Sequence, residues 1–431
     1  MKIFFLTAFF LFSINFAYSA ENLIFFLESA YKNNPRLNAE RENFKATKQN
    51  VNISKSEYLP SVSINGKVNS TQSFNRTDNL GNILSDTSSN TETKEISIDQ
   101  KIFQGFVGYN SLKKSQLEVK KGENQLKKIE QEIILGAATA FYDLIYKTKK
   151  KKFNAMNVDL FERQVETDSI RVQKGEITLT DLAQSESSLA DSRAKFITSE
   201  TELLTTKMNF ERVTRLAAPN LTKENQILDI NLPMTLSEAI SNAEKNNPKL
   251  IIARLDYAIA EKDVDIKKAE YSPSASINYS KSENKDYSST INELDQESVK
   301  ATIKWPIIKG GKNYSSIKKS QFIREQNSLL LKDAENEVKT NSTNAWSVYR
   351  SSESVLRATE LQVKAAEIAN EGISLEYDSG NTRTTLEVIQ SRSLLLTSRI
   401  ANAKAKRDLV VSKFKLLSEL GSLTLANIKK I

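Results

Sequence analysis

The chain has 431 residues, a net charge of +8, no cysteine and no histidine. Without cysteine there is no disulfide, no thiolate metal site and no lipid-modified amino-terminal cysteine; without histidine the common general base, the usual catalytic triads and the usual zinc ligands are absent. The positive charge is spread among many acids with no basic-aromatic cluster, so it reads as solvated helix faces and predicts no nucleic-acid partner.

At the amino terminus, Lys2, the apolar run Ile3 to Phe12 and the small residues Ala17, Ser19 and Ala20 predict a cleaved secretory signal over 1–19. A helix interrupted by Asn33-Asn34-Pro35 is expected over about Ile24 to Glu57, and Pro60 closes it. Two strands follow. Val62, Ile64, Gly66 and Val68 alternate with Ser61, Ser63, Asn65 and Lys67, and Ile96, Ile98 and Ile102 alternate with Ser97, Asp99 and Lys101. The polar loop Asn75 to Asn90 separates them. After Gly105 comes a helical tract without proline, about Tyr109 to Val172. Roughly sixty residues at about 1.5 Å each make a rod of about 90 Å, too long for a compact globule. A turn centred on Gly175 leads into a heptad helix, about Asp181 to Leu216. Its large residues Leu182, Leu189, Phe196, Leu203 and Phe210 are mostly followed three positions later by small ones, Ser185, Ser192, Ser199 and Thr206.

The second half writes the same order again. Asn246-Asn247-Pro248 interrupts a helix over about Leu236 to Glu270, and Pro273 closes it. Alternation is weak at Ile277 and Tyr279 and clear at Val299, Ala301, Ile303 and Trp305. A second long helix, about Tyr314 to Tyr377, a turn at Gly380 and a heptad helix, about Leu386 to Gly421, complete the repeat. Val388, Leu395, Asn402, Leu409 and Leu416 are the large positions there, with Ser391, Ser398, Ala405 and Ser412 beside them. The expected division is a signal peptide (1–19), a first repeat (20–216), a linker (217–235) and a second repeat (236–431).

Each strand has about ten residues with one apolar and one polar face, the pattern of a membrane-spanning β-strand. Four such strands cannot close, because about eight is the practical minimum and an open edge in lipid leaves backbone groups unpaired. Several chains must then share one barrel. A rod-like periplasmic coiled-coil or adaptor protein without a pore explains the heptads but not the strands. No enzymatic activity is expected, since neither repeat places a nucleophile beside a base.

Tyr58-Leu59-Pro60, Pro306-Ile307-Ile308-Lys309-Gly310-Gly311, Gly175 to Asp181, Tyr377 to Arg383 and Leu420-Gly421 occur in the order seen in the TolC-like outer membrane efflux protein family, which the mature chain resembles throughout. The resemblance implies a mainly α fold with a membrane β-barrel. Long antiparallel helices would form a periplasmic α-barrel, and four strands per chain would contribute to a shared twelve-stranded barrel in a homotrimer. It implies no cofactor, a place in outer membrane lipid, and partners in a periplasmic adaptor protein and an inner membrane transporter, serving type I protein secretion or multidrug efflux. By the same resemblance, Asp181, Tyr377 and Arg383 would hold the periplasmic gate closed, Glu387 and Gln390 would stand at the pore-narrowing ring, and the turns at Gly175 and Gly380 would meet the adaptor. With Gln390 neutral, one acid per chain remains in that ring, and a weaker cation preference is expected.

Overall fold

The computed structural model describes residues 23–219, 232–288, 291–379 and 383–429. The signal segment, most of the linker and Gly380 lie outside these residues. In chain order the elements are α1 (Leu23–Asn33), α2 (Pro35–Ser56), β1 (Ser61–Ser73), β2 (Arg76–Thr77), β3 (Ile83–Leu84), β4 (Thr87–Phe103), α3 (Val107–Gln173) and α4 (Leu179–Thr214). Then come α5 (Leu236–Asn246), α6 (Pro248–Ala269), β5 (Ser274–Lys285), β6 (Glu293–Lys304), α7 (Lys312–Asp378), α8 (Thr385–Glu419) and the short α9 (Leu425–Lys429). The order of long elements in the first half recurs in the second. Both long helices have 67 residues, slightly more than the alternation and the prolines predict.

Local chemistry sets the boundaries. Asn247 caps α6, its side chain accepting from the Lys249 amide at 2.8 Å, and Pro248 occupies the first helical position, where no amide is needed. Gly175 closes α3 at a φ of +74°. The Glu176 amide reaches back to the Arg171 carbonyl and the Gly175 amide to the Val172 carbonyl, the paired bonds of a left-handed helix stop. Gly105, also left-handed, has a second constraint: a Cβ there would lie 2.3 Å from the Ser272 Cβ.

The chain forms two compact units, each drawing on both repeats: Met1–Pro35, Glu130–Ala239 and Ser342–Ile431 make one, and Arg36–Ile129 with Ile240–Asn341 make the other. The helical unit has an aromatic centre where Phe26 of α1 meets Phe141 of α3 and Phe210 of α4, with ring centroids 5.7 and 5.1 Å away. Phe414 and Leu416 of α8 are fully buried in this unit. Ser29 ties α1 to the end of α4 through the Thr214 carbonyl at 2.7 Å.

Over most of α4 the small residue lies deeper than the large one, whereas in α8 both rows are mostly buried, Val388, Leu409 and Leu416 with the small residues beside them. Ser185, Ser192 and Ser199 of α4 and Ser391, Ser398, Ala405 and Ser412 of α8 are buried, while Leu182, Leu189, Phe196 and Leu203 are only half-covered. Serine is tolerated there because most of these hydroxyls satisfy themselves on their own helix. Ser199 donates to the Phe196 carbonyl at 2.7 Å, Ser398 to Leu394 at 2.8 Å and Ser412 to Leu409 at 2.7 Å. The small row lets a neighbouring helix approach closely, and the large row flanks the contact.

The second unit holds the sheet, antiparallel throughout in the order β1-β4-β5-β6. The two-residue strands β2 and β3 pair within the loop expected to be unstructured, so that loop is partly ordered and β4 begins at Thr87. Lys114–Asp263 and Lys121–Asp256 ion pairs, at 2.8 and 2.6 Å, join α3 to α6 in this unit.

Candidate channel wall and gate residues

The register separates the two faces of the sheet cleanly. One row reads Val62, Ile98, Tyr279, Val299; the next reads Ser63, Ser97, Ser280, Ser298. On the first face the adjoining rows hold Ile64 and Ile96 beside the Lys281–Glu297 ion pair, and Ile277 and Ala301 beside Gln100; the apolar side chains are largely exposed, Ile64 78% and Val299 74% accessible. Toward the loop end the same face becomes charged, with Lys94, Glu283 and Asp295 in one row. The other face is a polar ladder. Ser63 and Ser97 hydroxyls meet at 2.7 Å, Ser280 and Ser298 at 2.9 Å, and Thr93 donates to Asn284 at 2.8 Å. An apolar face open to the surroundings backed by hydroxyls is the chemistry of a wall between lipid and water. Among the described residues β1 pairs only with β4 and β6 only with β5, so both outer edges present unpaired backbone there.

In the helical unit the two turns carry matching caps. Thr178 begins α4, its hydroxyl and amide bonded to Asp181 Oδ2 at 2.7 and 2.9 Å; Thr384 begins α8, with Glu387 Oε2 at 3.1 and 2.8 Å. These are reciprocal capping boxes. The bonds from Thr178 hold the Asp181 carboxyl below the usual carboxylate range. The Thr384 amide and then Arg383 do the same for Glu387. Arg383 forks between Glu376, at 2.6 Å, and Glu387, at 3.0 Å. Gln390 is exposed one turn further along. Asp181, Tyr377 and Arg383 are thus not bonded to one another within the chain. Asp181 serves its own helix start, and Arg383 serves the second turn.

Tyr377 is buried, and its hydroxyl donates to Asp168 Oδ1 at 2.8 Å. Asp168, fully enclosed on α3, also accepts from Gln164 at 2.9 Å and from Ser185 of α4 at 2.5 Å. Thr385 of α8 shares the tyrosine hydroxyl at 3.1 Å. Arg392 of α8 donates to the side-chain Oε1 of Gln164 at 2.9 Å, and burial pushes its guanidinium below the usual range. Arg171 lies over the Tyr377 ring, 4.5 Å from its centroid. Burial raises the phenol of Tyr377. One carboxyl group therefore ties together α3, α4 and α7, and shares Tyr377 with α8.

The family model described as outer membrane efflux protein matches residues 26–214 and 239–422. The chain belongs to this family. It is a protein of the outer membrane acting in efflux, and its two matched segments contain both helix pairs and both strand pairs. Outer membrane efflux protein BepC of Brucella suis biovar 1 (strain 1330) is 25% identical over 406 residues, 94% of this chain and 86% of that protein. Outer membrane protein TolC of Vibrio cholerae serotype O1 (strain ATCC 39315 / El Tor Inaba N16961) is 22% identical over 423 residues, covering 94% and 92%. The Campylobacter jejuni CmeC outer membrane channel shares the fold at a TM-score of 0.83 and 13% identity, covering 95% of this chain and 89% of its own.

The turn motifs of this outer membrane efflux protein drew attention to Asp181 and Arg383, but not to Asp168, Gln164, Ser185 or Arg392. A signal for them was present. Asn154, Asn157, Phe161, Gln164 and Asp168 follow heptad spacing on α3 and are all buried. Four of the five are polar, an unusual content for core positions of a helix pair.

Proposed function

We propose that three copies of this chain close their sheets edge to edge into a twelve-stranded barrel, continued by their long helices as a duct toward the periplasm. The observation that carries this reading is the four-stranded sheet with one exposed apolar face and two open edges. In lipid such edges are untenable, and only closure with further strands satisfies them. The helical unit points the same way. Leu361, Ile368 and Leu375 form an exposed heptad stripe on α7, and Ile197 and Leu204 an exposed pair on α4, apolar surfaces that a second copy would cover.

The duct is passive in this reading. An inner membrane transporter supplies energy, a periplasmic adaptor docks at the turns of Gly175 and Gly380, and cargo, drug or polypeptide, passes outward. The gate is assigned to contacts between neighbouring copies at the turns that carry Asp181 and Arg383, with Tyr377, buried against Asp168, bracing the second turn from within its own chain. The repeats 20–216 and 236–431 then act as pseudo-equivalent staves around the linker 217–235.

Electrical recording across a planar lipid bilayer tests the proposal. Discrete conductance steps from purified, folded protein are expected. Reproducible silence from protein shown to be helical and oligomeric would return the reading to a rod without a pore.

A further inference from the structure

The polar face of the sheet is unevenly charged. Its charged side chains are Lys67, Glu95, Asp99, Lys101, Lys300 and Lys304, placed on one face by the register. Lys67 and Glu95 lie toward the loop end and offset each other. The remainder gather at the end from which the chain passes into the helices. Lys300 lies in the row of Asp99, Lys101 in the next and Lys304 in the last. All three lysines are exposed, and among the described residues none is in an ion pair. Asp99 is engaged by the Asn278 amide at 2.8 Å. The opposite face sets acids beside its lysines: Lys281 is paired with Glu297 at 3.2 Å, Lys94 shares a row with Glu283 and Asp295, and Lys285 a row with Glu92 and Glu293.

We propose that Lys101, Lys300 and Lys304 form a basic collar inside the barrel, at its helix-proximal end, that makes the duct favour anionic cargo. The inference rests on the barrel reading, which turns this face toward the lumen. Three copies would then bring nine lysines against three aspartates to the last three rows of this face at the helix-proximal end. Rings of basic side chains select anions in pores, and low-dielectric walls focus their field. At about 0.1 M salt the Debye length is about 10 Å, so the collar acts on solutes passing along the wall and weakens as salt rises. The acid expected to favour cations is outnumbered: Glu387 shares Arg383 with Glu376, which leaves a single excess acid in that cluster against three lysines and one aspartate in the collar, and Gln390 is uncharged. The preference predicted here is therefore opposite in sign to the weak cation preference that the pore-ring residues alone imply.

The test is the reversal potential of single channels under a KCl gradient at low ionic strength. The unmodified protein should reverse on the chloride side of zero. Replacing Lys101→Gln, Lys300→Gln and Lys304→Gln together should move the reversal potential to zero or to the potassium side, with conductance steps retained. Lys94→Gln with Lys285→Gln, which removes two lysines from the opposite face, should leave it in place. A potassium-side potential in the unmodified protein, or a triple variant indistinguishable from it, would overturn the collar while leaving the duct intact. Absence of steps from folded oligomer would overturn the duct and the collar with it.

Discussion

The two helix turns share a cap and differ inside. Thr178 with Asp181 and Thr384 with Glu387 build the same capping box, and an arginine–glutamate pair flanks each: Arg171 with Glu176 at 3.2 Å, and Arg383 with Glu376 at 2.6 Å. Seven residues before Gly175 lies Asp168, fully buried; seven before Gly380 lies Ile373, half-covered. The two turns share what each helix needs to start. They do not share what joins one hairpin to the other, because that contact is made once per chain and needs different groups on its two sides.

The largest effect should come from the unshared interior. Asp168→Ala removes the acceptor for three buried donors and should cost about 3 kcal/mol or more, whereas Ile373→Ala should cost about 1 to 2 kcal/mol for a half-covered side chain. Thermal unfolding of the folded protein, followed by helical circular dichroism, compares them; equal losses would mean the two interiors are equivalent after all. Tyr377→Phe keeps the ring under Arg171 and deletes one donor, so a loss of about 1 kcal/mol is expected by the same measurement.

Packing in the small rows comes next. Ser199→Leu and Ser398→Leu each force a large side chain into a closely approached position and should destabilise by about 1 to 3 kcal/mol. Leu189→Asp alters a half-covered site and should cost less. A larger loss at Leu189 than at Ser199, in the same melting experiment, would restore the large row as the inner one.

The caps should respond least and alike. Thr178→Ala and Thr384→Ala should each cost about 1 kcal/mol, seen as faster amide exchange in the first turns of α4 and α8. Both acids have folded-state pKa values below their unfolded ones. Their contribution is therefore complete above the ordinary carboxylate range and is lost as pH falls through the lowered folded values. Acidification should open both turns together. Opening of only one would separate the caps that the comparison treats as a pair.

Much of this was legible in the residues. Period-two alternation located the four long strands, and Asn-Asn-Pro, Gly105 and Gly175 marked breaks that the backbone observes. These are local signals, set by sterics and amide bonding within a few residues. The pairing of β4 with β5, which joins the two repeats, is a long-range choice that no local pattern names. The depth of Ser185 and Ser199 beneath their large neighbours depends on which side the adjacent helix approaches. The partners of Tyr377 escaped the turn motif because the motif points to Asp181, while the hydroxyl finds Asp168 on a different helix.

The central claim, closure of three sheets into one barrel, is open to a direct chemical measurement because the chain has no cysteine of its own. Ser63→Cys on β1 can be combined in turn with Gln296→Cys, Ser298→Cys or Lys300→Cys on β6, all on the polar face. Within one chain these edges are three strand spacings apart, about 14 Å, beyond the roughly 7 Å that a disulfide spans between Cα atoms. Mild oxidation in outer membranes should therefore yield, for at least one pair, a covalent ladder that stops at the trimer. A ladder that stops at the dimer or climbs past the trimer, or no cross-link from any pair in folded protein, would contradict the account.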